Sequence, residues 1–228
     1  MELAGLYIYA YLVGALPTAY IIGRLVRGID IREYGSGNVG GTNVFYNVGR
    51  AWTLPLGVIE IFVKGGSPVW IGMYALDMER TSFGLMGAPL IAIAGNNWSP
   101  FLRFTGGRGI ALASGALFAL APWELLAFAS VAIAGWAIFR SSGVWGYVSL
   151  ALLPLWSLLF GDPAAITWFC VGILVLVSAK RLTSNWTPMP EGLPRSQVLF
   201  NRLFRDRDVS RREEWLNRGS REMDKGTG

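Results

Sequence analysis

Polar and apolar residues along this chain come in blocks. Apolar runs cover residues 3–22, 52–76, 83–95, 110–121, 123–139, 144–160 and 164–179, and short polar or glycine-rich connections separate them. About 20 apolar residues in a helix cross the hydrocarbon core of a bilayer. The pattern therefore predicts an all-α, polytopic membrane protein of about seven helices. The third and fourth runs are short, and are expected to tilt, to be extended by polar turns, or to pair as a re-entrant hairpin. Crossing twice and dipping once leave everything downstream on the same side.

Composition agrees with the pattern. Of the 228 residues 53% are apolar and 15% charged, with a mean hydropathy of +0.42, whereas about 25% of a soluble domain is charged. The chain has room for one bundle, residues 1–186, and a charged tail, 187–228. No fixed repeat is evident. The lone Cys170 lies inside an apolar run and reads as a buried, inert thiol. The opening MELAG carries an acid and no basic cluster, so the first run is expected to stay as a span rather than to be cleaved.

Lysine and arginine set the orientation. With the N-terminus outside, Arg24, Arg27, Arg32, Arg50, Arg103, Arg108, Arg140, Lys180 and Arg181 all fall on cytoplasmic connections. The outer connections hold little more than Arg80 among Asp77, Glu79 and Asp162. Three segments thus face the cytoplasm together: YGSGNVGGTN at 34–43, TGGRG at 105–109 and KRLTSN at 180–185.

The first two run straight into helices. Gly35, Gly37, Gly40 and Gly41 carry no side chain that would keep an anion from the backbone, and Thr42 or Asn43 is a natural cap for a helix starting near Val44. Free N–H groups at a helix start bind phosphate. Gly106, Gly107 and Gly109 repeat the design, with Arg108 adding a planar donor fork. Two such cradles predict two phosphorylated ligands. Residues 35–40 also spell G-x-G-x-x-G, but no strand precedes them, which speaks against dinucleotide binding. Glycine also lets membrane helices approach closely, and that reading is assigned to Gly14, Gly23, Gly115 and Gly172. It explains the loops less well, because Ser36, Asn38, Asn43 and Arg108 are interleaved there.

Glu60 and Lys64 lie one helical turn apart inside the second run, where an i,i+4 ion pair is either structural or the mark of a polar cavity. The chain has no histidine. That excludes a Ser-His-Asp hydrolase, a histidine-ligated metal site and acyltransferases built on His-x4-Asp. No metal or other cofactor and no nucleic-acid partner is expected.

Three stretches carry a resemblance: GALPTAYIIGRLVRGIDIREYGSGNVGGTNVF, then GNNWSPFLRFTGGRGIALASG, then KRLTSNW. They resemble successive cytoplasmic motifs of the PlsY family of bacterial acyl-phosphate:glycerol-3-phosphate acyltransferases, over residues 14–185. The resemblance implies a seven-helix inner-membrane enzyme with its site on the cytoplasmic side. Its partners would be the lipid bilayer, acyl phosphate and glycerol 3-phosphate, with lysophosphatidic acid formed without coenzyme A. On it, Ser36, Gly37, Asn38, Gly40, Thr42 and Asn43 match the phosphate-holding loop. Glu60 with Lys64 matches an acid-x-x-x-Lys-Gly pattern, Arg108 replaces the family's lysine, and Asn185 matches the asparagine of the last motif. Ser141, Ser142 or Ser149 matches a phosphate-holding serine. Ser36, Arg108 and Asn185 are then the candidate catalytic residues, and Gly35, Gly41, Asn96, Gly106, Gly107, Gly109 and Ser142 join the candidate substrate site. The sequence departs from the family where Asn96 replaces the histidine of G-H-N-W, where Tyr46 replaces an arginine, and where Leu182 replaces the last-motif histidine.

Alternatives from other classes stay open: an inactive homologue that binds a phosphorylated lipid precursor or regulates a membrane partner, and a small phosphate-ester transporter. In the tail, Leu199, Phe200, Leu203 and Phe204 recur at helical spacing among arginines. This predicts an interfacial helix on anionic lipid or a disordered charged segment.

Overall fold

The structure, a computed structural model, describes residues 1–35, 37–190 and 192–208. Among these residues it is helical throughout, without a strand. The first apolar run divides into α1, Glu2–Ala15, and α2, Thr18–Arg27. Pro17 between them disfavours helical geometry at the preceding residue, and Leu16 accordingly sits at ψ 122°. Gly28, at φ 69°, ends α2 in the left-handed conformation that glycine tolerates best. Asp30 then caps a single turn at Ile31–Glu33, accepting from the Arg32 backbone N–H at 3.0 Å and from its guanidinium at 2.9 and 2.6 Å. The Arg32 hydrogen bond holds the Asp30 carboxyl below the usual carboxylate range.

Short α3, Gly41–Asn47, follows, and then the long α4, Arg50–Ala75. The hydrogen bonds of α4 widen to i→i+5 turns over Ile59–Gly66 and Ile71–Ala75. Next come α5 (Phe83–Asn97), α6 (Ile110–Leu120), α7 (Pro122–Phe139), α8 (Ser142–Phe160) and α9 (Ala164–Thr183). Each predicted run is thus helical. The helical stretches Glu2–Arg27, Arg50–Ala75, Pro122–Phe139, Ser142–Phe160 and Ala164–Trp186 are long and apolar enough to cross a membrane. The remaining two, α5 with 15 residues and α6 with 11, are the short pair.

Small residues decide which helices touch. A Cβ on Gly14 of α1 would lie 2.1 Å from the Ala92 carbonyl oxygen of α5, and one on Gly115 of α6 would lie 1.8 Å from that of Ile61 on α4. Gly65 of α4 meets the Leu112 carbonyl at 2.3 Å in the same way. These are backbone-on-backbone approaches that any side chain would prevent. Gly23 departs from that expectation: its nearest neighbour would be Ile31 at 3.4 Å, an ordinary contact. Gly172 meets only the side chain of Leu90, at 2.7 Å. The main core, which includes Ala92, Ile93, Leu112, Ala116, Phe169 and buried Cys170, fills the space between α1, α5, α6 and α9. A smaller cluster of Ala19, Ile31, Val39, Val44, Leu56 and Leu102 supports the first glycine loop.

The tail adds α10, Arg195–Phe200, which continues in wide turns to Arg205. It packs on the bundle: Val198 and Arg202 are buried, and the Phe204 ring meets Tyr147 edge-on at 5.4 Å. Leu199 and Phe200 stay exposed. The predicted helix is therefore present through Arg205, but half of its apolar stripe is spent on α8 and α9 instead of on lipid. The rest of the predicted tail, beyond residue 208, lies outside the described residues.

Candidate functional site

The first glycine loop is tied down from within. Asn43 Nδ2 donates to the carbonyls of Ile31, Tyr34 and Asn38 at 2.8, 3.0 and 3.0 Å, and Asn43 Oδ1 accepts from Asn47 Nδ2 at 2.6 Å. Gly35, at φ 53°, passes so close that a Cβ would stand 2.8 Å from that Oδ1. Gly40 caps α3, and the helix starts at Gly41, not near Val44. Thr42 and Asn43 are therefore inside the first turn and are not its cap. A Cβ on Gly40 or Gly41 would meet nothing within 4 Å. Ser36 lies outside the described residues.

The second loop is held by its neighbours. Gly106 donates its N–H to Asn185 Oδ1 at 3.0 Å, and its carbonyl accepts from Asn185 Nδ2 at 3.1 Å and from the Val39 N–H at 3.4 Å. Asn185 Nδ2 also reaches the Gly37 carbonyl at 3.3 Å and Asn38 Oδ1 at 3.1 Å. One amide thus clamps both loops together. The Gly107 N–H donates to the Asn96 carbonyl at 3.0 Å, and Gly109, at φ 74°, turns the chain into α6. Arg108 donates to the Lys180 carbonyl at 2.9 Å and stands 2.7 Å from Asp206 Oδ1.

Between the loops lies a cavity of about 520 Å³. The first loop lines it with Asn38, Gly40, Gly41, Thr42 and Asn43. Glu60, Asn96 and Ser142 contribute from α4, α5 and the start of α8, and Gly107, Arg108 and Gly109 from the second loop. Gly35, Gly37, Lys64, Gly106 and Asn185 are not on this wall. Lys64 stands behind it, 1% exposed, donating to Glu60 Oε1 at 2.8 Å, the Leu16 carbonyl at 2.9 Å and Asn96 Oδ1 at 3.2 Å. Of the three candidate serines, Ser141 also lines the cavity, whereas Ser149 is buried elsewhere and donates to the Phe128 carbonyl at 2.5 Å.

Sequence reasoning missed part of the wall. Arg140, Arg181, Arg205, Asp206 and Arg207 also line it. Arg140 and Arg181 served there only to fix orientation, although arginines at helix ends are a signal for anion binding too. With Arg108, five guanidinium groups face two carboxylates, Glu60 and Asp206. Gly109, Ile110 and Ala111 bring the start of α6 to the same wall, where backbone N–H groups lack intrahelical acceptors. The arrangement suits anions, and its two glycine loops open on one space.

A family profile described as glycerol-3-phosphate acyltransferase matches residues 4–187. The chain belongs to that family. It is 37% identical over 219 residues to glycerol-3-phosphate acyltransferase 5 of Dehalococcoides mccartyi (strain ATCC BAA-2266 / KCTC 15142 / 195), covering 93% of this chain and 92% of the relative. Glycerol-3-phosphate acyltransferase 4 of strain CBDB1 is 35% identical, with 96% and 94% covered. Among solved structures, the glycerol 3-phosphate form of PlsY (YgiH), an integral membrane glycerol 3-phosphate acyltransferase, superposes with a TM-score of 0.73 at 27% identity, covering 79% of this chain and 88% of that one. Its lysophosphatidic acid form gives 0.72. The chain is thus a multi-pass membrane protein of the acyltransferase family. The departures from the family pattern fall unevenly: Asn96 and Tyr46 line the cavity, while Leu182 does not.

Proposed function

We propose that this protein transfers an acyl group from acyl phosphate to the sn-1 hydroxyl of glycerol 3-phosphate. The observation that carries the reading is the single cavity into which both glycine loops and Arg108 open, since the reaction brings two phosphate groups together. The hydroxyl oxygen attacks the acyl carbonyl carbon, a new C–O ester bond forms, and the bond from carbonyl carbon to phosphate oxygen breaks. Inorganic phosphate and lysophosphatidic acid leave. Negative charge gathers on the carbonyl oxygen and on the departing phosphate, where loop amides and Arg108 stabilise it. With no histidine in the chain and Glu60 paired to Lys64, the proton passes to the leaving phosphate, whose second pKa is about 6.

The family membership supports this reading and a place in a bacterial cell membrane, and the arginine asymmetry supports an N-terminus outside with the site in the cytoplasm. Purified protein should release phosphate from acyl phosphate only when glycerol 3-phosphate is present, and should ignore acyl-CoA. Binding without phosphate release above background would sink the catalytic reading in favour of an inactive binding homologue. For the topology, an impermeant thiol reagent on intact cells should label a cysteine placed at Asp162 and miss one placed at Thr105; labelling at Thr105 would overturn the orientation.

A further inference from the structure

One wall of the cavity lies beyond the reach of the family match. That match ends at residue 187, yet Arg205, Asp206 and Arg207 line the cavity from the turn that closes α10. The turn is firmly anchored. Arg202, 4% exposed, pairs with Asp208 at 2.5 Å and donates to the Thr187 carbonyl at 2.7 Å. Arg181 reaches across from α9 to the Leu203 carbonyl at 2.7 Å and the Gly143 carbonyl at 3.1 Å. Gly143 is packed so closely beneath that a Cβ would lie 2.7 Å from the Arg205 carbonyl oxygen. Asp206 itself ends the helix at φ 57°.

This turn delivers one negative charge, Asp206, between two positive ones, Arg205 and Arg207. Asp206 Oδ1 stands 2.7 Å from Arg108 Nε, with the two side chains 23% and 9% exposed. Among the described residues neither atom has a hydrogen-bond partner, so the pair is close without being aligned. A carboxylate in that position offers Arg108 what a phosphate oxygen would offer, but with less charge and poorer geometry. Arg205 has no ion pair among the described residues.

We propose that the C-terminal segment belongs to the phosphate site: Asp206 holds Arg108 and yields it to an incoming phosphate monoester, which Arg205 then also binds. The proposal rests on the reading of the cavity as a phosphate-ester site. A dianion outcompetes a misaligned monoanion for one guanidinium, and in exchange Asp206 sets the affinity lower than the cavity alone would give. Asp206 is thereby a positioning residue, and Arg205 a substrate ligand.

The test uses the full chain in nanodiscs, titrated calorimetrically with glycerol 3-phosphate and assayed separately for turnover of acyl phosphate. Asp206→Asn keeps the shape and removes the charge. It should lower both Kd and KM for glycerol 3-phosphate by about tenfold. Arg205→Ala should raise Kd by about tenfold, and Arg205→Lys should recover most of the loss. Equal binding by wild type and Asp206→Asn, at matched melting temperatures, overturns the exchange. Should Asp206→Asn fold poorly, Arg205→Ala still decides, because its side chain makes no ion pair among the described residues: wild-type affinity there sinks the proposal. Wild type that binds glycerol 3-phosphate with these variant effects but releases no phosphate would remove the acyltransfer reading and leave this one intact. Wild-type turnover with both variants unchanged would do the reverse. If wild type binds neither glycerol 3-phosphate nor inorganic phosphate, both fall.

Discussion

The two glycine loops are built from the same letters for different purposes. In the first, Gly40 and Gly41 face open space, and their missing side chains are what leaves room for a ligand. In the second, Gly106 would place a Cβ 2.1 Å from the Asn96 carbonyl oxygen, and Gly107 and Gly109 would place theirs 2.8 and 2.7 Å from their nearest neighbours. There glycine permits packing. The first loop has no cation of its own on the cavity wall, whereas the second offers Arg108. One loop supplies room, and the other supplies charge on a rigid base.

The comparison is most sharply tested at the charge. Arg108→Ala should lower kcat for acyl phosphate by about 10²-fold to 10³-fold, the usual cost of removing one donor from a developing anion. Arg108→Lys should keep substantial activity in the same phosphate-release assay, since a point charge still serves a phosphate. A near-normal alanine variant would mean that the second loop is scaffold only.

Next come paired glycine substitutions. Gly106→Ala should cost about 1–3 kcal/mol of stability by overpacking against backbone, seen as a lower melting temperature and loss of folded protein. Gly41→Ala should leave melting unchanged while raising KM for one phosphate substrate by about tenfold. Equal melting losses at both positions would erase the distinction between the loops. Asn185→Ala, which removes the amide joining them, should cost about 1–3 kcal/mol through unpaired buried groups, read as a lower melting temperature.

The smallest effect concerns the first loop's approach. The folded-state pKa of Asp30 is depressed, so its contribution is present above the ordinary carboxylate range and is lost as pH falls through the lowered value. Asp30→Asn should therefore melt lower than wild type at neutral pH, by an amount corresponding to about 1 kcal/mol, and the gap should close in strong acid. A gap that persists at every pH would assign the effect to packing.

Much of this was legible in the sequence because the bilayer enforces a coarse code. Apolar run length predicts the helices, and the arginine asymmetry groups the two glycine loops, Arg108 and residues 180–185 on one side. Finer assignments needed geometry. Asn185 and Asn43 carry the letters of ligands, yet Asn185 stands off the cavity wall and both spend their amides holding carbonyls of the loops. The kink at Leu16–Pro17 was readable from Pro17, but run length alone passes over it because the run stays apolar across it. The docking of α10 was hidden because four apolar residues among arginines carry the same pattern whether they meet lipid or protein.

Lys64 has a consequence for how the protein is made. A cation near the middle of a span costs about 2.5–3.5 kcal/mol to insert, and Glu60 offsets only part of that. Its remaining acceptors, the Leu16 carbonyl and Asn96 Oδ1, come from a helix synthesised earlier and from one synthesised later. Taken alone, α4 thus leaves Lys64 with Glu60 as its one partner, and the other two bonds exist only where Leu16 and α5 pack against it.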